Sequence, residues 1–152
     1  MESTLHIGTA GWSYPDWEGV FYPRKKKYSA LEYYARYFNV VEINSSFYRI
    51  PNKKTVKKWA SVRNRSDEFK FLVKLYNKFT HSAPFLDQAV IDEFNSTFLV
   101  MPRDMMAGLL IQFPWSYKYN NENFAYLLEL STAVREFHIC VELRHGSCDR
   151  AK

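Results

Sequence analysis

Four stretches of the chain gather proton-transferring and anion-holding groups where apolar runs end. The densest is Glu42-Ile43-Asn44-Ser45-Ser46-Phe47-Tyr48-Arg49, which brings a carboxylate, an amide, two hydroxyls and a guanidinium together. Packing explains such density poorly, because buried polar groups need partners and exposed ones need no clustering. Either Glu42 or Asn44 serves a ligand or the chemistry, or the group is a structural hydrogen-bond network. Lys74 ends another apolar run and is followed by Thr80-His81. Lys74 could pair with Glu42, hold an anion or act as a nucleophile, and a salt bridge is the simplest of these. His81 is a candidate general acid or base, against a purely structural histidine. Gln112 closes a third run. Glu142-Leu143-Arg144-His145 closes a fourth, joining an acid, a guanidinium and an imidazole.

An aromatic loop supplies a different chemistry. Gly11-Trp12-Ser13-Tyr14-Pro15-Asp16-Trp17 continues to Phe21-Tyr22-Pro23. Trp12 and Tyr14 could form a stacking wall for a base or sugar ring. The alternative is that these rings plug a cavity mouth and pin the loop.

These residues need elements to position them. Leu5 to Gly8, Val40 to Asn44, Phe69 to Lys74, Gly108 to Gln112 and Ile139 to Leu143 read as strands. Helical spacing falls between them. Ser29-Ala30-Leu31-Glu32 has the form of a capping box, and Leu31, Tyr34, Ala35 and Phe38 follow on one face, ending near Asn39. Val56, Trp59, Ala60 and Arg63 mark a second helix. Leu86, Val90, Phe94, Thr97 and Phe98 mark a third, stopped by Pro102, and Asn121 caps a fourth carrying Phe124, Leu127, Leu128 and Val134. Alternating strands and helices predict an α/β fold with parallel pairing and right-handed crossovers.

Side-chain parity selects a barrel over an open doubly wound sheet. If Glu42, Lys74, Gln112 and Glu142 face inward, the opposite faces carry Val41/Ile43, Phe71/Val73, Leu109/Ile111 and Val141/Leu143. Polar residues at inward-facing strand ends are where a parallel (β/α) barrel of TIM type keeps its chemistry. Gly8-Thr9-Ala10-Gly11-Trp12 lacks the glycine spacing of a dinucleotide fingerprint. Five strands do not close an eight-stranded barrel of about 250 residues, so residues 1–152 are expected to be one domain, truncated to about five β/α units. The outer strands would then leave open sheet edges available for self-association.

Of 152 residues, 18% are aromatic and 24% charged, with a net charge of +5. The excess lies mainly in Lys25-Lys26-Lys27 and in Lys53, Lys54, Lys57 and Lys58, which read as a solvated face or as a contact for an anionic partner. No apolar run approaches the ~20 residues of a membrane span, and no signal peptide is legible, so a cytoplasmic protein without membrane contact is expected. Cys140 and Cys148 make no metal-type spacing and are expected to be reduced thiols. Glu42, His81, Glu142 and His145 could ligate a divalent metal, but no metal motif supports it, and no cofactor is expected.

Several motifs resemble the domain-of-unknown-function 72 family, also called YecE-like. They are Gly8-Thr9-Ala10-Gly11-Trp12-Ser13-Tyr14, Phe21-Tyr22-Pro23, Val41-Glu42-Ile43-Asn44-Ser45-Ser46-Phe47-Tyr48 and Trp59, then Phe69 to Lys74, Thr80-His81, Leu109 to Pro114 and Val141-Glu142-Leu143-Arg144-His145. The resemblance covers nearly the whole chain, as an amino-terminal portion of the family pattern. It implies a β/α barrel of the xylose-isomerase and endonuclease IV type, with a further Arg-x-His-Gly segment from strands six to eight. After Arg144-His145 the family usually has Ser-Trp, whereas this chain reads Gly146-Ser147-Cys148.

The functional expectation is a barrel acting on a phosphate-bearing, nucleotide-like or nucleic-acid ligand. Glu42, Glu142 and His81 would be catalytic. Trp12, Tyr14, Asn44, Arg49, Lys74, Gln112, Arg144 and His145 would bind the ligand. Two alternatives stand beside it: a carbohydrate-active barrel using Glu42 and Glu142 across a gap of ~6 Å, and a truncated subunit without catalysis.

Overall fold

The computed structural model describes residues 5–24, 29–62, 68–82 and 85–150. Lys25, Lys26, Lys27 and Arg63 lie outside them. Five strands, β1 (Gly8–Ala10), β2 (Val40–Ile43), β3 (Lys70–Lys74), β4 (Met106–Gln112) and β5 (Ile139–Glu142), form one parallel sheet in sequential order. Between them lie α1 (Ala30–Tyr34), a four-residue α2 (Ser45–Tyr48), α3 (Lys53–Ala60), α4 (Gln88–Phe98) and α5 (Asn121–Ala133). Among the described residues β1 pairs only with β2 and β5 only with β4.

The ladder sets the parity that the strand sequences predict. Glu42 pairs with Leu72, Lys74 with Leu110, and Gln112 with Glu142, so all four polar residues share the face away from the helices. On the other face Val41, Ile43, Phe71, Val73, Leu109 and Ile111 are buried beneath helix side chains such as Tyr34, Ile91, Phe94 and Leu130. β5 departs from this pattern. Val141 is 43% and Leu143 38% exposed, because no described helix covers the outer face of the last strand.

β1 begins at Gly8, where the sequence pattern has the strand end. The side chain of Asn39 accepts from the Ile7 N–H at 2.7 Å and donates to the Leu5 carbonyl at 3.0 Å, and the Asn39 N–H donates to the Ile7 carbonyl at 3.3 Å, so those residues bond mainly to one residue's side chain. The ladder starts where the backbones can close up. A Cβ on Gly8 would lie 1.8 Å from the Val40 carbonyl oxygen, which only glycine avoids.

Caps place the helix starts. Ser29 and Glu32 form the expected capping box, at 3.2 and 3.3 Å. α1 is nevertheless shorter than its apolar spacing predicts. After Tyr34 the chain tightens into three-residue bonds, with Arg36 N–H on Tyr33 and Tyr37 N–H on Tyr34, before Asn39 turns into the sheet. Asp87 caps α4. Asn120, rather than the expected Asn121, caps α5, accepting from the Asn123 N–H at 2.7 Å. Asn52 caps α3, which carries Lys53, Lys54, Lys57 and Lys58 and no acid. The pairs 53/57 and 54/58 repel across one turn, each costing about 0.2–0.5 kcal/mol. Lys53 and Lys54 also oppose the positive end of the helix dipole.

Candidate active site

Four strand ends and two short segments converge on the helix-free face of the sheet. Glu142, on β5, is held on both oxygens: Arg144 Nε donates to Oε1 at 2.6 Å and Gln112 Nε2 to Oε2 at 2.5 Å. These bonds, Arg144 first and Gln112 next, hold the Glu142 carboxyl below the usual carboxylate range. Glu42, on β2, receives no such hydrogen bonds from the described residues. Burial pushes its carboxyl up, the Lys74 charge opposes this, and the Glu142 charge adds to it. The two carboxyls are thus displaced in opposite directions within one electrostatic neighbourhood.

Lys74 does not make the close salt bridge that is its simplest sequence reading. Its ammonium sits 4.7 Å over the ring of Phe47, a residue of α2, and reaches Glu42 and Glu142 only as a nearby charge. The same Phe47 ring meets that of His81 in a T-shaped contact at 4.9 Å and 88°. His81 Nδ1 lies 2.8 Å from the Thr80 hydroxyl. Burial lowers the His81 pKa, and the Lys74 and Arg144 charges lower it further, which favours the neutral ring. Ser46 ties this group to the sheet. Its buried hydroxyl lies 2.7 Å from the Ile43 carbonyl and 2.6 Å from the Lys74 carbonyl, clamping the ends of β2 and β3.

Asn44 leaves α2 without a side-chain cap and lines a shallow cavity of about 240 Å³ with Trp12, Tyr14 and Ser45. Gly11 sits in the left-handed region there, at φ 97°. The aromatic loop divides into two parts. Trp17, Phe21 and Tyr22 pack on Tyr33, Tyr34 and one another, so they pin the loop. Trp12 and Tyr14 remain on the cavity wall, with the Tyr14 hydroxyl bonded to the Ala10 carbonyl.

Two predicted ligand residues stand apart from the carboxylates. Arg49 is exposed at the end of α2 and, among the described residues, makes no hydrogen bond or ion pair with Glu42 or Glu142. His145 belongs to a rim cluster, bonded to Ser147 and packed 5.0 Å from Trp115. Phe47 and Thr80 lie within the clusters named in the sequence but without a role of their own there, and Trp115 and Ser147 were not singled out. Thr80 adjoins a candidate, and its hydroxyl was the one available signal. Among the described residues no three His, Cys, Asp or Glu side chains gather as metal ligands would, and no helix is long and apolar enough to cross a membrane. Both cysteines are free thiols.

A parallel α/β sheet with polar residues at its inward strand ends is the class of protein this geometry defines. The chain belongs to the DUF72 family, a protein family of unknown function, whose model matches residues 6–151. It is 28% identical to the UPF0759 protein YunF of Bacillus subtilis over 149 residues, covering 94% of this chain and 51% of that protein. It is 29% identical to the UPF0759 protein YecE of Escherichia coli K12, covering 93% of this chain and 48% of that one. The chain therefore spans about half the length of the curated relatives it matches. The crystal structure of a DUF72 family protein from Thermotoga maritima superposes with a TM-score of 0.77 at 28% identity, covering 95% of this chain and 57% of that one. One from Enterococcus faecalis gives 0.72 at 26% identity, covering 83% and 47%.

Proposed function

We propose that this chain contributes the strand-end half of a hydrolase-type site acting on a phosphate-bearing ligand, a nucleotide or a nucleic-acid phosphodiester. The observation that carries this reading is the opposed displacement of Glu42 and Glu142. Two carboxyls pushed apart in this way divide into a proton donor and a proton acceptor. Glu42, whose burial favours the protonated carboxyl, gives its proton to the leaving oxygen. Glu142, anionic and oriented by Arg144 and Gln112, takes the proton of the attacking water. Lys74 and the outer guanidinium nitrogens of Arg144 hold non-bridging oxygens, a task of positioning and charge. Neutral His81 orients the water, and Asn44, Trp12 and Tyr14 hold the ring end of the ligand. The site is completed when the five-stranded sheet closes into a (β/α) barrel with further β/α units, which would cover the outer face of β5 and bring further groups to the mouth.

A second reading rests on the same carboxyl pair beside an aromatic wall, the constellation of glycoside hydrolysis. Thermal-shift screening separates the two, since a ligand stabilises the folded state by mass action. Nucleotides and short oligonucleotides are expected to raise the midpoint, and Glu42→Gln is expected to lower turnover of a hit by about 10²–10⁴-fold. Stabilisation by oligosaccharides alone supports the second reading. Full turnover by both Glu42→Gln and Glu142→Gln refutes the acid–base assignment. Repeating the assay with a chelator tests whether a divalent cation bridges the two carboxylates.

A further inference from the structure

The lysine face of α3 is an arrangement that folding does not account for. Lys53, Lys54, Lys57 and Lys58 are all exposed, and none makes an ion pair among the described residues. Two like-charge pairs stand one turn apart, and the first two lysines oppose the helix dipole. Solubility alone would be served as well by mixed charge. Phosphates laid along this face would reverse both penalties at once.

The face is also connected to the strand-end site. Asn44 and Ser45, which line the mouth cavity, lead through α2 directly into α3, so Lys53 and Lys54 stand on the mouth side of the sheet. Trp12 is the shared wall. It lines the mouth cavity and also a groove of about 370 Å³ together with Thr55, Lys58 and Trp59. Trp12 and Trp59 meet edge to face at 5.7 Å within that groove. A helix of eight residues spans ~12 Å, more than one phosphate can reach. Indole rings beside a cationic track are the elements with which proteins hold unpaired bases and their backbone.

We propose that the lysine face of α3, with Trp12 and Trp59 beside it, binds the backbone of a single-stranded polynucleotide whose terminal or target nucleotide occupies the strand-end site. The inference rests on the phosphate-ligand reading of that site, and it extends that ligand from a nucleotide to a strand. The lysines are contacts for the flanking phosphates and take no part in bond breaking. They confer affinity and a preference for length, with little preference for sequence.

Fluorescence anisotropy on this chain tests it, using labelled oligo-dT of about three and about twelve nucleotides between about 50 and 200 mM salt. The longer oligomer is expected to bind at least tenfold more tightly. In the variant carrying Lys53→Gln, Lys54→Gln, Lys57→Gln and Lys58→Gln that advantage is lost, and the slope of log affinity against log salt falls by about 0.7 for each lysine engaged. Glutamine keeps the helix propensity of lysine and removes the repulsion, so the variant folds, as circular dichroism will verify. Equal affinity and slope for variant and wild type overturn the track, as does a long oligomer that binds no better than the short one. In both cases short-oligomer binding leaves the strand-end reading standing. Binding of neither oligomer overturns both, and lysine-dependent binding to anionic phospholipid vesicles without oligonucleotide binding assigns the face to a membrane surface and overturns the track.

Discussion

Ser147 closes on a single atom of His145, donating its backbone N–H to Nδ1 at 3.1 Å with its hydroxyl 2.8 Å from the same nitrogen. The hydroxyl in turn accepts from the Tyr119 N–H at 2.9 Å, which leaves its own proton available for His145. A nitrogen that receives two donors carries no proton, and the ring proton resides on Nε2. In this tautomer His145 offers its Nε2–H as a donor. Side-chain nitrogen NMR should show an acceptor-type Nδ1 and a protonated Nε2. Ser147→Ala removes one donor and should mix the tautomers. A predominantly protonated Nδ1 in the wild type would refute the assignment.

The two glutamates should leave opposite marks on the pH dependence of stability. Glu42 has a raised pKa in the folded chain, so its contribution is present below the ordinary value of 4.5 and is lost as pH rises through the folded value. Glu142 has a lowered one, so its contribution is present above 4.5 and is lost as pH falls through the folded value. Urea unfolding should find Glu42→Gln more stable than wild type near neutral pH, with the gain vanishing in acid. Glu142→Gln should be less stable near neutrality and close to wild type in strong acid. Parallel curves for either variant would contradict the assigned environments.

Tyr126 anchors the segment that carries His81. Its buried hydroxyl donates to the Phe79 carbonyl at 2.8 Å, joining α5 to the loop after β3. Tyr126→Phe leaves that carbonyl unpaired and should cost about 1–3 kcal/mol. It should also loosen Thr80 and His81, visible as faster amide exchange in 79–82.

Ile111 and Val141 are register partners on the helix-facing side of β4 and β5, yet one is fully buried and the other 43% exposed. In this chain Ile111→Ala should cost about 2–5 kcal/mol. Val141→Ala should stay within about 0.5 kcal/mol. Comparable losses at both positions would mean that something covers β5 in solution.

Much of this arrangement is legible in the strands, where parity is a local property. Val41/Ile43 and Phe71/Val73 alternate against Glu42 and Lys74, and that alone places the polar residues on one face. The partner of Lys74 was hidden because it comes from α2. No helix is legible at Ser45–Tyr48 in the sequence, so the ring of Phe47 could not be placed beneath the ammonium. The Ser147–His145 bond was hidden for a related reason, since it depends on a turn of the chain after β5 and not on any periodicity. Exposure of Val141 depends on what lies over β5, a tertiary matter that its apolar pattern does not reveal.

The register between β3 and β4 slips by one residue: Phe71 pairs with Met106, while Leu72 pairs with Gly108, leaving Ala107 as the extra residue. Met106 and Leu109 both pack toward the hydrophobic core although three positions separate them, which strict alternation forbids. The bulge thus acts as a phase shifter for β4. Without it the strand would have to choose between burying Met106 and burying Leu109 and Ile111, and Gln112 would lose either its level with Glu142 or its core support. Such an insertion also sharpens the local twist. One alanine with no ladder partner is therefore what lets the fourth strand serve two surfaces and still deliver Gln112 to the carboxylate on the fifth.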